Sequence, residues 1–156
     1  MADPARQLIL ANIDTVLQTI TVANGYKTTV VTVSRAIKGW SEVGVSLMPF
    51  VGFAPVARST ATYKPNGYLD IVMPVTIIGH TNSLSGATKT EDLSKLQDDI
   101  IAALNVDTTR GNNAIRTNWT GTQTDEGNPD SDDHRGGSGT LVMDWNILYQ
   151  RKVTST

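Results

Sequence analysis

The chain contains no cysteine. That excludes disulfide staples, thiolate-bound metals and cysteine nucleophiles, and it fits folding in a reducing cytosol. Histidine is nearly absent as well. His80 and His134 are the only imidazoles, they fall in separate segments that read as loops, and each reads as a surface residue rather than a transition-metal ligand. Neither sign of charge dominates: 13 Lys and Arg against 15 Asp and Glu give a net charge of −2, with no basic cluster to mark a nucleic-acid site. The longest apolar run, LDIVMPVTIIG, is too short and too interrupted to span a bilayer, so no membrane contact is expected. The opening MADPARQLILANID is too polar for a signal peptide.

What remains is the composition of one folded domain over residues 1–156, at 39% hydrophobic and 18% charged residues. Asp3-Pro4 reads as a helix start, and Ile9, Ile13, Val16, Leu17 and Ile20 recur at helical spacing, which predicts a helix over 4–21 ended by Asn24-Gly25. Residues 26–35 are rich in β-branched side chains and read as a strand; 48–57 reads as a short one, followed by a turn at Lys64-Pro65-Asn66-Gly67. Strict alternation then predicts a strand over 68–79, with Leu69, Ile71, Met73, Val75 and Ile77 on its buried face. Residues 80–89 read as a loop, and Thr88 with Glu91 has capping-box spacing for a second helix lined by Leu93, Leu96, Ile100, Ile101 and Leu104. A polar turn at 107–113, a Thr-rich strand over 114–124 and an alternating strand through LVMDWNILYQR complete the chain. The expected fold is α+β: a single, mostly antiparallel sheet, two amphipathic helices packed on one face, and a long hairpin loop.

That loop, DEGNPDSDDHRGGSG at 125–139, is the segment most suggestive of chemistry. Its carboxylates suit a hard cation, yet from Asp125 the alternate positions are Gly127 and Pro129, which is not the ligand register of a calcium loop. Its glycines follow a loop and precede a strand, the wrong order for a phosphate cradle, and Gly136-Gly137-Ser138-Gly139 does not complete a nucleophile elbow. Asp98-Asp99 are neighbours on a helix and read as a solvated face rather than an acid/base couple. No catalytic, cofactor-binding or metal-ligating constellation emerges, and no enzyme activity is expected. Aromatics are only 6% of the chain, which makes their places informative. Trp145 and Tyr149 share the apolar face of the last strand and read as core. Trp40 and Trp119 lack apolar neighbours, and Phe50 and Phe53 fall in a Pro-rich segment near a sheet edge; these four are the candidate interface residues.

The segment LSKLQDDIIAALNVDTTRGNNAIRTNWTGTQTDEG resembles the second half of the tail terminator (tail completion) proteins of long-tailed phages. In that family a helix of this type leads into a polar, glycine-containing turn, a Thr-rich strand and an acidic stretch. LDIVMPVTIIGHT is similar to its central strand, and the first helix followed by GYKTTVVTVSR to its opening. The resemblance implies a virion structural protein without cofactors. Such a subunit forms a ring, usually a hexamer, at the head-proximal end of the tail, after assembly in the host cytoplasm. The implied partners are other copies of the chain, the tail tube protein, a head–tail connector or neck protein and, in a contractile tail, the sheath protein. DNA would pass only as cargo. Under this reading Asp125, Glu126, Asp130, Asp132, Asp133, His134 and Arg135 form an assembly or lumen loop. The alternative is a calcium-dependent binding or adhesion module, or another minor tail or baseplate protein, using the acidic residues at 125–134.

Overall fold

The computed structural model describes residues 4–82, 86–125 and 138–153. Two helices, α1 (Ala5–Leu17) and α2 (Gly86–Asn105), accompany a six-stranded sheet. Its strands are β1 (Thr32–Ser34), β2 (Phe50–Ala54), β3 (Thr60–Tyr63), β4 (Tyr68–Asn82), β5 (Arg116–Asp125) and β6 (Ser138–Lys152). The order across the sheet is β1-β2-β4-β6-β5, and β3 pairs with β4 beyond the end of β2. Every pairing is antiparallel except that of β1 with β2. This is the expected α+β architecture.

Alternation explains the sheet. Met73, Val75 and Ile77 of β4 and Leu141, Met143, Trp145, Ile147 and Tyr149 of β6 point to one face and are buried. Val51 and Phe53 of β2 extend that face. Onto it α1 brings Ile9, Leu10, Ile13 and Leu17, and α2 brings Leu93, Leu96, Ile100, Ala103 and Leu104, all in one core cluster. Each such aliphatic side chain stabilises the fold by roughly 1.5–3 kcal/mol. The helices therefore lie on one face, as the residue pattern predicts. At Gly79 a β-carbon would stand 2.6 Å from Leu96 Cδ2, so this glycine lets α2 approach the sheet.

Several boundaries differ from the sequence reading. The first helix ends at Leu17, because the β-branched run from Thr19 to Val22 turns instead: Thr19 Oγ1 donates to the Val16 carbonyl, and Thr21 Oγ1 accepts from Asn24 N. Gly25, at φ +93°, ends that short 3₁₀ turn rather than α1. Asp3 lies outside the described residues, and Pro4 stands at the N-cap. The strand expected over 26–35 shrinks to β1, because the amides before it are used elsewhere: Lys27 N donates to Asp99, Val30 N to the Ile20 carbonyl and Val31 N to that of Pro49. β3 has no counterpart in the sequence reading; all four of its residues are exposed, so no apolar alternation marks it. The Lys64–Gly67 turn is present, with Gly67 at φ +81°, and it joins β3 to β4. β4 continues through His80 to Asn82 instead of ending in a loop, and α2 begins at Gly86. Thr88 is thus inside the helix, and Glu91 pairs with Lys95 at 2.9 Å rather than closing a capping box.

Opposite the helices, residues 36–48 run as a strap over one end of the sheet, through 3₁₀ turns at Trp40–Glu42 and Val45–Leu47. The strap crosses β2 so closely that a β-carbon on Gly52 would stand 2.3 Å from the Ala36 carbonyl oxygen. Because that obstacle is backbone, Gly52→Ala is expected to destabilise the protein by about 1–3 kcal/mol. Gly121→Ala, which meets no atom within 4 Å, should cost less than about 0.5 kcal/mol. Urea denaturation of both variants at matched protein concentration measures the difference, and equal midpoints would mean that the strap does not rest on Gly52.

Candidate functional site

The strap is fastened by an interface candidate, Trp40, and by a histidine read as a surface residue. Trp40 Nε1 donates to the Thr81 carbonyl at 2.9 Å, and the ring packs against a small cluster of Val43, Met48 and Phe50. His80, read from sequence as a surface residue, is only 1% exposed. Its ring stacks on Phe50 with centroids 5.8 Å apart, Nε2 lies 2.5 Å from the Lys38 carbonyl, and Nδ1 lies 3.1 Å from Thr140 Oγ1. A carbonyl can only accept, so Nε2 carries the proton and Nδ1 of the neutral ring accepts from the threonine hydroxyl. Burial pushes the His80 pKa down, against an opposing pull from the Lys38 carbonyl. The geometry makes His80 a neutral strut between β4, β6 and the strap.

The polar turn after α2 is also a structural device. Asp107 accepts from Thr109 N and Gly111 N, both at 2.9 Å, and from Thr109 Oγ1 at 2.5 Å. These donors hold its carboxyl at about 2, below the ordinary 3.8, with the Thr109 hydroxyl the largest cause. Arg110, Gly111 and Asn112 all have positive φ, at 51°, 69° and 68°. This left-handed run turns the Arg110 side chain inward, where it is fully buried and donates to the carbonyls of Leu104 and Asp107. A guanidinium there satisfies carbonyls that α2 leaves open and sits at the negative end of its dipole. Burial lowers the Arg110 pKa, and Asp107 opposes that shift. The sequence reading recognised the turn but missed the buried arginine; the signal was Asp107 two residues before Thr109 and four before a glycine, the spacing of a self-bonded Asx turn.

The four aromatic candidates separate. Phe50 and Phe53 are not on an exposed edge: they are 2% and 1% exposed, on opposite faces of β2. Trp40 is half-buried in the strap. Only Trp119 is open, at 43% exposure on β5, with Nε1 donating to Thr122 Oγ1 at 3.0 Å across a bulge between Trp119 and Gly121. Asp99, expected on a solvated helix face, is 3% exposed and accepts from Lys27 N, whereas its neighbour Asp98 is exposed and pairs with Lys27 Nζ at 3.2 Å. Asp125 closes β5, while Glu126, Asp130, Asp132, Asp133, His134 and Arg135 lie outside the described residues. Among the described residues no three His, Asp or Glu side chains are grouped as metal ligands, and no helix is long and apolar enough to cross a membrane. A cavity of about 270 Å³ lies between the strap and α2, lined by Val45, Met48 and Pro49 on one side and Lys27, Asp92 and Lys95 on the other. Its two lysines already pair with Asp98 and Glu91.

Compared with known proteins, the chain matches no family model and no curated protein. Among the described residues the polar groups of His80, Asp107, Arg110 and Asp99 tie the fold together, and Trp119 is the one exposed aromatic of the four candidates.

His80 supplies a test. Because its folded-state pKa lies below the ordinary 6.5, the unfolded chain takes up the proton first. Its contribution to stability is complete above about pH 6.5 and is lost as pH falls from there through the folded pKa. The melting temperature should drop between pH 7 and pH 5.5, well above the range in which Asp107 titrates, and the slope should flatten in His80→Gln. A wild-type melting temperature independent of pH across that window would contradict the strut.

Proposed function

We propose that this chain is a ring-forming structural subunit, a tail terminator that caps the head-proximal end of a phage tail tube. The carrying observation is the sheet with two lateral strands left open: among the described residues β5 pairs only with β6 and β3 only with β4. A subunit with an open edge on each side can make the head-to-tail contacts that close into a ring by rotation. The resemblance of the second helix, the polar turn and the Thr-rich strand to the terminator family supports the same reading, and so does the polar chemistry used up inside the fold. Under this proposal the ring stops tube polymerisation and presents a docking surface to the neck or head–tail connector, and to a sheath if the tail contracts. A net charge of −2 would let DNA pass as cargo, because few phosphates would meet cationic partners.

The test is assembly. The purified chain, alone and with tail tubes, should sediment as a closed oligomer of a size near a hexamer, and electron microscopy should show rings at one end of each tube. Tubes that grow to the same length with and without the protein, together with a strict monomer in the centrifuge, would contradict the proposal.

A further inference from the structure

The ring reading leaves open how one copy holds the next, and the sheet edges answer it. Soluble proteins usually guard a free strand with lysine, proline, a covering element or very short length. β1 is guarded: it is three residues long, and the following Arg35 bonds to Gln7 of α1. β3, at four residues, is scarcely longer, and β5 has a bulge between Trp119 and Gly121, but along their middles neither edge is guarded by charge or proline. Between Thr117 and Thr124 β5 carries neither a charge nor a proline, and neither does Thr60–Tyr63. Both edges are threonine-rich and neutral, so bringing them together meets no charge repulsion.

We infer that copies of this chain join by strand addition, β5 of one copy pairing antiparallel with β3 of the next; this rests on the ring reading above. The direction follows from topology. β4 runs against both β3 and β6, and β6 runs against β5, so β3 and β5 run opposite ways within one copy. Copies related by rotation about an axis to which the strands are inclined keep their strand sense, so the joined edges are antiparallel, and the inclination is what lets a staggered register close.

The register follows as well. Through β4, β3 lies level with residues 148–151 of β6, whereas β5 lies level with 140–148. The two edges share only the row Thr60, Val72, Leu148 and Arg116, so neighbours must be displaced along the strands. The pleat permits only even displacements if both copies keep their helices on the same face. Four residues, ~14 Å, is the smallest even displacement that sets all of β3 beside β5. It places Ala61 opposite Trp119, with Tyr63 as its diagonal neighbour. A small residue facing the 43% exposed indole and a 75% exposed tyrosine beside it make a contact of the kind that anchors interfaces. On the other face Thr62 then meets Asn118.

The absence of cysteine makes this measurable by crosslinking. In one copy Thr62 and Asn118 are separated by the intervening strands β4 and β6 and by four rows along them, which puts them roughly 20 Å apart, beyond the reach of a disulfide. In a full-length chain carrying Thr62→Cys and Asn118→Cys, oxidation should give a ladder of covalent oligomers that ends at the ring size. Thr60→Cys with Asn118→Cys, two residues out of register, should stay mostly monomeric on the same non-reducing gel. If rings form in the centrifuge but the first pair yields no covalent oligomer, the ring reading stands and the strand-addition inference falls. If the protein is monomeric with and without tail tubes, both fall.

Discussion

The rest of the molecule depends on the pairing of β4 with β6. These two strands run antiparallel over fifteen residues without a register break, from Tyr68 against Lys152 to Asn82 against Ser138. Because side chains alternate, that one ladder decides which residues meet the helices and which meet the strap. A one-residue slip of β4 against β6 would send Met73, Val75 and Ile77 to the open face while Leu141 and Trp145 kept theirs, so the register is fixed by the whole core rather than by a turn. The two strands are far apart in sequence, with α2 and β5 between them, so their pairing also holds the helix against the sheet.

From this pair outward the structure is asymmetric. One face is covered by two helices that share a single core with the sheet. Among the described residues the other is covered at the His80 end, where the strap is held by a stacked ring, two hydrogen bonds from aromatic side chains to carbonyls and a glycine that admits its backbone. An antiparallel sheet can leave a face to water, whereas open strand edges present unpaired backbone groups that favour another strand. The molecule guards one of its edges and leaves two unguarded.

Legibility followed the physics of each signal. Period-two alternation in LDIVMPVTIIG and LVMDWNILYQR located β4 and β6 because one face of each is buried, wholly in β6 from Leu141 to Tyr149 and in β4 from Met73 onward, while Leu69 and Ile71, expected on that face, are only partly covered. Helical spacing located α1 and α2 for the same reason. β3 could not be read, since a strand exposed on every residue has no apolar period, and its existence depends on a partner distant from any local signal. The aromatic candidates failed where local company was taken as a guide to burial: Phe53 belongs to a core cluster drawn mostly from both helices, β4 and β6, which lie far from it in sequence. His80 was misread because the strand was ended three residues too early; the continued strand sets it beside Phe50.

The same contrast bears on what the protein is for. Arg110, Asp107, Asp99, His80 and Trp40 each have the chemistry of a functional residue, and each forms a bond that closes a helix end, anchors a strap or fixes a loop. A site of reaction needs such groups free to face a substrate, whereas a subunit that must keep its shape within an assembly needs them committed to the fold. Trp119 is the exception. It lies in the row of the buried Trp145, yet its position on the edge strand leaves the indole 43% exposed. Burying that outer side against a further strand would continue the packing that already fills the row inward, and no new type of contact would be required.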